Sequence, residues 1–103
     1  MESISYKELE KWILRNRKEV SNLHSHIRIF DLGISVYTKV RFKLFKGFVT
    51  TDASIRDRNN MDISRAFSKK ERLDLLRLVT MVVDTNRLDD RRESIKRIKS
   101  LMK

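Results

Sequence analysis

DLGISVYTKVRFKLFKG, residues 31–47, is the stretch that decides the fold, because its pattern fits both a strand and a helix. In an extended chain, one face would carry every second residue, namely Ile34, Val36, Thr38, Val40, Phe42 and Leu44. Lys46 and Gly47 would then turn the chain back. This interpretation predicts a short β-hairpin over residues 34–50.

The helical interpretation of the same stretch begins at Asp31, which serves as the N-cap, and ends just before Gly47. Lys43 and Lys46 then lie in the last turn, where the helix dipole favours cations. An isolated hairpin is marginally stable, and the rest of the chain suggests no strand for it to pair with. We therefore expect a helix here and keep the hairpin as the alternative.

The segment before this stretch has the pattern of an amphipathic helix. Ser5 and Glu8 have the spacing of a capping box. Apolar residues then recur at steps of three, four or seven, at Tyr6, Leu9, Ile13, Val20, Leu23 and Ile27. This periodicity predicts one helix from about Tyr6 into the mid-twenties.

The segment after it contains two more capping boxes. Ser68 and Glu71 open a run that is apolar around most of a helix, which predicts a central helix from Lys69 to about Asp84. Asp90 and Glu93 form the next box and predict a separate last helix. With no proline and two glycines in 103 residues, the sequence predicts a mainly α, compact single domain, residues 1–103, of four to five helices.

The positive charge of the chain is concentrated in two places. The formal net charge is +10. Residues 32–51 hold four cations and no acid, and residues 86–103 hold seven cations against three acids. Clustered charge of this kind favours a polyanionic partner. The candidate nucleic-acid-binding residues are Lys39, Arg41, Lys43, Lys46, Arg91, Arg92, Lys96 and Lys99.

The spacing of these residues indicates contact with phosphates. On a helix, cations at steps of three and four lie about 5–6 Å apart on one face, so several can meet one nucleic-acid strand together. The chain lacks the aromatic ribonucleoprotein motif and the KH loop, so this signal is electrostatic. We predict non-catalytic binding of nucleic acid, with RNA preferred over DNA because no base-reading motif is evident.

Catalysis, cofactors and metals are not indicated. The sequence has no cysteine, no phosphate-cradling glycine loop and no Gly-x-Ser-x-Gly elbow. His24 and His26 do not share a helix face, and no further ligand completes a metal set around them. The expectation is a protein that is not an enzyme and that needs neither cofactor nor metal.

Other interpretations stay open at this point. A ribbon-helix-helix protein would use residues 36–45 as its strand, but the polar stretch 51–60 separates that strand from the next helix. A helix-turn-helix would use the last two helices around a turn at 85–89.

A small regulatory or viral adaptor would bind an acidic protein partner, and an amphipathic element at 39–48 would bind anionic membrane, which we consider unlikely. We also expect an intracellular homo-oligomer, most simply a homodimer, because the central helix is apolar nearly all round.

Overall fold

The computed structural model describes residues 4–23, 26–44 and 47–102, and for residues 39–44 and 47–50 only the backbone. Its two α-helices are α1 (Tyr6–Arg15) and α2 (Lys69–Leu101). Its four strands are β1 (Val20–Leu23), β2 (His26–Ile29), β3 (Ile34–Leu44) and β4 (Gly47–Arg56). Short 3-10 turns occupy Arg17–Glu19 and Ser64–Ala66. The strands form one antiparallel sheet in the order β1-β2-β3-β4.

The fold is therefore α+β, and the prediction of a mainly α domain with four to five helices is wrong. Residues 34–44 and 47–56 are paired strands, as the hairpin alternative predicted, and not a helix. A helix was expected because the sequence suggests no other strand with which the hairpin could pair. Strand β2 pairs with β3 along Ile34–Tyr37 and supplies the missing neighbour.

The first helix is shorter than predicted, and this shortening creates the first two strands. The Ser5 hydroxyl accepts a hydrogen bond from the Glu8 backbone N–H, as the capping box predicts. The helix ends at Arg15, where the Asn16 side chain donates to the Trp12 carbonyl at 3.0 Å. Residues 20–23, which the periodicity assigned to the helix, instead form β1, and they pair with β2 at residues 26–29.

One face of the sheet carries the core. The register aligns Val20, Ile29 and Ile34 in one row, and Ile27, Val36 and Ile55 in the next. These side chains pack against Leu9 and Ile13 of α1 and against the buried residues of α2, which are Leu75, Val79, Val82 and Val83. Both helices therefore cover the same face of the sheet.

The turn between β2 and β3 requires a glycine at position 33. Gly33 has φ +69°, a left-handed conformation that side chains with a Cβ rarely adopt. A Cβ at this position would also lie 2.9 Å from the Arg58 side chain. Arg58 donates to the Asp31 carbonyl at 3.0 Å, which ties the turn after β4 to this one.

The second helix is a single element of 33 residues, not two helices. Ser68 and Glu71 form the predicted capping box at its start. Asp90 lies inside the helix and is not a cap, so no turn at 85–89 exists for a helix-turn-helix. Helix α2 crosses the sheet from Arg72, which contacts Asp52 of β4, to Asn86, which donates to the carbonyls of Arg17 and Val20 beside β1.

The helix continues beyond the sheet. A helix of this length spans about 50 Å, close to the longest extent of the molecule, 55 Å. We call residues 87–102 the arm; each of them is exposed except Asp89, which is partly buried. Asp89 pairs with Arg17 at 3.2 Å and with Lys18 at 3.7 Å and anchors the start of the arm. Neither described helix is long and apolar enough to cross a bilayer.

Candidate nucleic-acid interface

The face of the sheet opposite the helices is polar, basic and aromatic. Side chains alternate along a strand, so the residues between the core positions lie on this second face. The register arranges them in two rows, Ser21–Arg28–Ser35–Arg56 and Leu23–His26–Tyr37–Ser54. We call these eight residues the open face. Neither row contains an acid, and Arg28 and Arg56 lie two strands apart, about 10 Å across the sheet.

Tyr37 and His26 form the aromatic part of the open face. They occupy paired positions on β3 and β2, and their rings stack with centroids 4.6 Å apart and planes inclined by 24°. The Arg56 guanidinium lies 5.9 Å from the centre of the Tyr37 ring. Each of the three side chains is partly exposed. Tyr37 therefore has His26 stacked on its ring and Arg56 over it, and an unpaired base can stack on this ring where the Arg56 side chain moves aside.

Arg28 adds an unsatisfied donor to the open face. Its guanidinium lies 5.6 Å from the centre of the Phe30 ring. Its Nε atom is buried and has no hydrogen-bond partner. A buried donor without an acceptor costs free energy, and such groups are rare unless a ligand or water satisfies them. Because this Nε atom is covered, an anionic oxygen bound at the open face would supply the missing acceptor only after the Arg28 side chain moves.

The predicted central cluster lies on the continuation of the same strand. Lys39, Arg41 and Lys43 occupy the distal part of β3, which pairs with β4 alone because β2 pairs only as far as Tyr37. The register shifts between Thr38 and Arg41, which marks a bulge between the open face and this two-stranded ribbon. The side chains of these three residues, and the whole of Lys46, lie outside the described residues. The side chains of Phe42 and Phe48, and the whole of Phe45, also lie outside the described residues.

The predicted C-terminal cluster lies elsewhere. Arg91, Arg92, Lys96 and Lys99 are exposed on the arm. Helix α2 packs on the core face and passes the β1 edge, whereas Lys39, Arg41 and Lys43 lie on β3. The structure thus keeps the two predicted clusters apart, one on β3 and the other on the arm. At the β1 edge, Arg87 and Asp90 of the arm line one groove together with Ser21 of the open face.

The described part of the chain shows no metal site, since no three His, Asp or Glu side chains in it are grouped to hold an ion. A shallow groove of about 340 Å³ lies between the β1 edge and α2. Val20, Val83 and Asn86 line its base, and Lys18, Arg87 and Asp90 lie at its rim. This mixed lining supplies no group positioned as a nucleophile with its base.

The predicted binding residues include none of the four charged or aromatic residues of the open face, which are His26, Arg28, Tyr37 and Arg56. The signal was present in the alternation of residues 34–38, which puts Ser35 and Tyr37 on one face of a strand. Arg28 and Arg56 are 28 positions apart, so only the strand register brings them into one row. Comparison of the chain with protein-family models, with curated proteins and with solved structures found no match.

Proposed function

We propose that this protein is a non-catalytic nucleic-acid-binding protein that holds a single strand across the open face of its sheet. The observation that carries the proposal is the acid-free open face, on which the stacked rings of Tyr37 and His26 lie beside Arg56 and the unsatisfied Arg28. Stacking on a ring tolerates any base, and the arginines supply contacts to phosphate or base oxygens.

The preference for a single strand follows from the chemistry of the surface. Bases in a duplex are already stacked on their neighbours, so only unpaired bases are free to stack on Tyr37. RNA is preferred over DNA because cellular RNA exposes unpaired loops and ends. Lys39, Arg41 and Lys43 continue along β3 beyond Tyr37, and we propose that they follow the phosphates of the same strand. An intracellular location, in cytoplasm or nucleus, belongs to this proposal.

The test measures fluorescence anisotropy of labelled RNA and DNA of the same mixed sequence, each single-stranded and duplex, over a series of salt concentrations. We expect single-stranded RNA to bind most tightly and affinity to fall log-linearly with salt. Tyr37→Ala should weaken binding by about 1–3 kcal/mol, the usual contribution of one stacked base, whereas Tyr37→Phe should keep most of the affinity.

A matched pair of double variants locates the surface. Arg28→Gln with Arg56→Gln should lower the salt slope by about 0.7 for each lost contact. Lys7→Gln with Lys11→Gln removes the same charge from exposed positions on α1 and should leave the slope nearly unchanged. Equal losses from the two pairs would mean that only net charge matters. Absence of binding at low salt would refute the proposal.

A further inference from the structure

The arm carries an apolar stripe that no described part of the chain covers. Leu88, Ile95, Ile98 and Met102 are 52%, 46%, 57% and 82% exposed. At 100° per residue, these four side chains lie within an arc of about 80° along the helix. The stripe lies on the side of the helix away from Val79, Val83 and Asn86, and these three residues point towards the sheet. We call these four residues the seam.

Cations border the seam on both sides. By the same helical geometry, Arg92 and Lys99 lie along one flank and Arg87 along the other, while Arg91 lies within the stripe itself, between Leu88 and Ile95. The three acids of the arm, Asp89, Asp90 and Glu93, point to the opposite side of the helix, and Asp89 is already paired with Arg17 and Lys18. Asp84, one turn before the arm, is the nearest carboxylate on the seam side. The surface is therefore an apolar stripe that Arg91 interrupts and that cations border on both sides.

We propose that the arm is a docking helix for a second protein, one that presents an apolar groove or helix bordered by Asp and Glu. A narrow stripe of this width is typical of the seam between two helices, where side chains at steps of three, four and seven enter the partner. The flanking cations select the partner, because only acidic borders complement them. This role is additional to nucleic-acid binding at the open face.

Charge argues against a second copy as the occupant. Two arms packed seam to seam would bring Arg87, Arg91, Arg92 and Lys99 of both copies along one interface, and like charges in that position are strongly unfavourable. A homo-oligomer, expected from the sequence, stays a prediction that needs a different surface. A bilayer fits less well than a protein, because residues 87–102 contain no aromatic residue and the stripe is narrow.

The experiment uses the full chain and a synthetic acidic helix as the probe. The probe is a labelled peptide of four heptads with Leu at positions a and d and Glu at e and g; its control has Lys at e and g. We expect the acidic peptide to bind and the lysine peptide not to bind. The proposal would be overturned if the acidic peptide did not bind or if both peptides bound equally. It would also be overturned if the protein bound more strongly to phosphatidylcholine vesicles containing phosphatidylserine.

Variants of the arm separate the seam from general charge. Ile95→Ser with Ile98→Ser should weaken binding of the acidic peptide about tenfold or more, because both anchors are lost. Arg92→Gln should weaken it about threefold, and Arg97→Gln, the same change on the far side of the helix, should have no effect. Equal effects of the two arginine changes would refute the flanking role.

Two controls keep this test distinct from the proposed function. Affinity for single-stranded RNA should be unchanged in the Ile95→Ser, Ile98→Ser variant, because the seam lies off the open face. Sedimentation should give the same mass for this variant and the unmodified chain. An association of the unmodified chain that the two serines abolish would assign the seam to a second copy and overturn the proposal.

Discussion

The two parts of α2 have the same backbone structure and opposite surroundings. Residues 69–86 contribute Leu75, Val79, Val82 and Val83 to the core, whereas residues 87–102 bury no side chain fully. Tertiary packing stabilises the first part. The arm depends on its own helix propensity, on the absence of Gly and Pro, and on continuity with the packed part. One uninterrupted helix thus contains a structural half and a half left free for contacts.

The largest expected contrast comes from truncating one apolar side chain in each half. Leu75→Ala should lower the free energy of unfolding by about 2–5 kcal/mol, since Leu75 is fully buried and leaves a cavity. Ile95→Ala should change it by less than about 0.5 kcal/mol, because the side chain is exposed and alanine is a good helix former. Urea denaturation measures both. A loss at Ile95 as large as the loss at Leu75 would show that the arm is packed.

A second contrast compares two arginines of the packed half. Arg72 lies 3.1 Å from the Asp52 carboxylate and also donates to the carbonyls of Ser64 and Phe67; its side chain is 17% exposed. Arg72→Met should cost about 2–3 kcal/mol, because several charge-assisted hydrogen bonds are lost at once. Arg77→Met removes an 80% exposed partner of Asp74, 3.8 Å away, and should cost less than about 0.5 kcal/mol. Similar losses in thermal or urea unfolding would contradict this ranking.

The pH dependence of stability reports on Tyr6, which packs against the core. Burial, and then the hydrogen bond to Glu10, raise the pKa of the Tyr6 phenol to about 12. Because the folded pKa lies above the unfolded one, this contribution is complete below pH 10 and is lost as pH rises towards 12. Partial exposure reduces it to about 1–2 kcal/mol.

Tyr6→Phe is the matched variant for this effect, because phenylalanine keeps the ring and cannot ionise. The difference in unfolding free energy between the two proteins should change between pH 10 and pH 12 and stay constant below that range. Ultraviolet titration should show one tyrosine ionising near pH 12. Ionisation of Tyr6 near pH 10 would contradict its burial.

A small effect is also expected from removing most of the arm. A chain that ends at Asp90 keeps Asp89 and its partners Arg17 and Lys18 but lacks residues 91–103. Its unfolding free energy should fall by less than about 1 kcal/mol, since residues 91–102 are exposed and make no packed contact. A chain that fails to fold would show that the arm belongs to the structural half.

Local signals in the sequence predicted part of the fold. The caps Ser5 and Ser68 were identified correctly, because capping depends on residues three apart. The start of the central helix at Lys69 was also predicted correctly. Strands β1 and β2 were missed because Val20 and Ile27, seven apart, satisfy a helical period by coincidence, and strand pairing depends on distant residues.

The candidate site was less predictable than the fold. Clustering of charge along the sequence singled out Arg92 and Lys99, which are exposed on the arm. The open face instead combines Arg28 and Arg56 with Tyr37, which lie in different segments and meet only through the register of three strands. No local pattern around Arg56 marks it as a neighbour of Arg28, so only the folded sheet identifies this surface.

Asn86 has a further consequence, for the solubility of the protein. Strand β1 is an edge of the sheet, and an exposed edge is a template on which strands of other molecules add and aggregate. The Asn86 amide donates hydrogen bonds to the Val20 carbonyl at 3.2 Å and to the Arg17 carbonyl at 2.7 Å. Strand β1 is also only four residues long. Helix α2 thereby shields the β1 edge from growth into an intermolecular sheet.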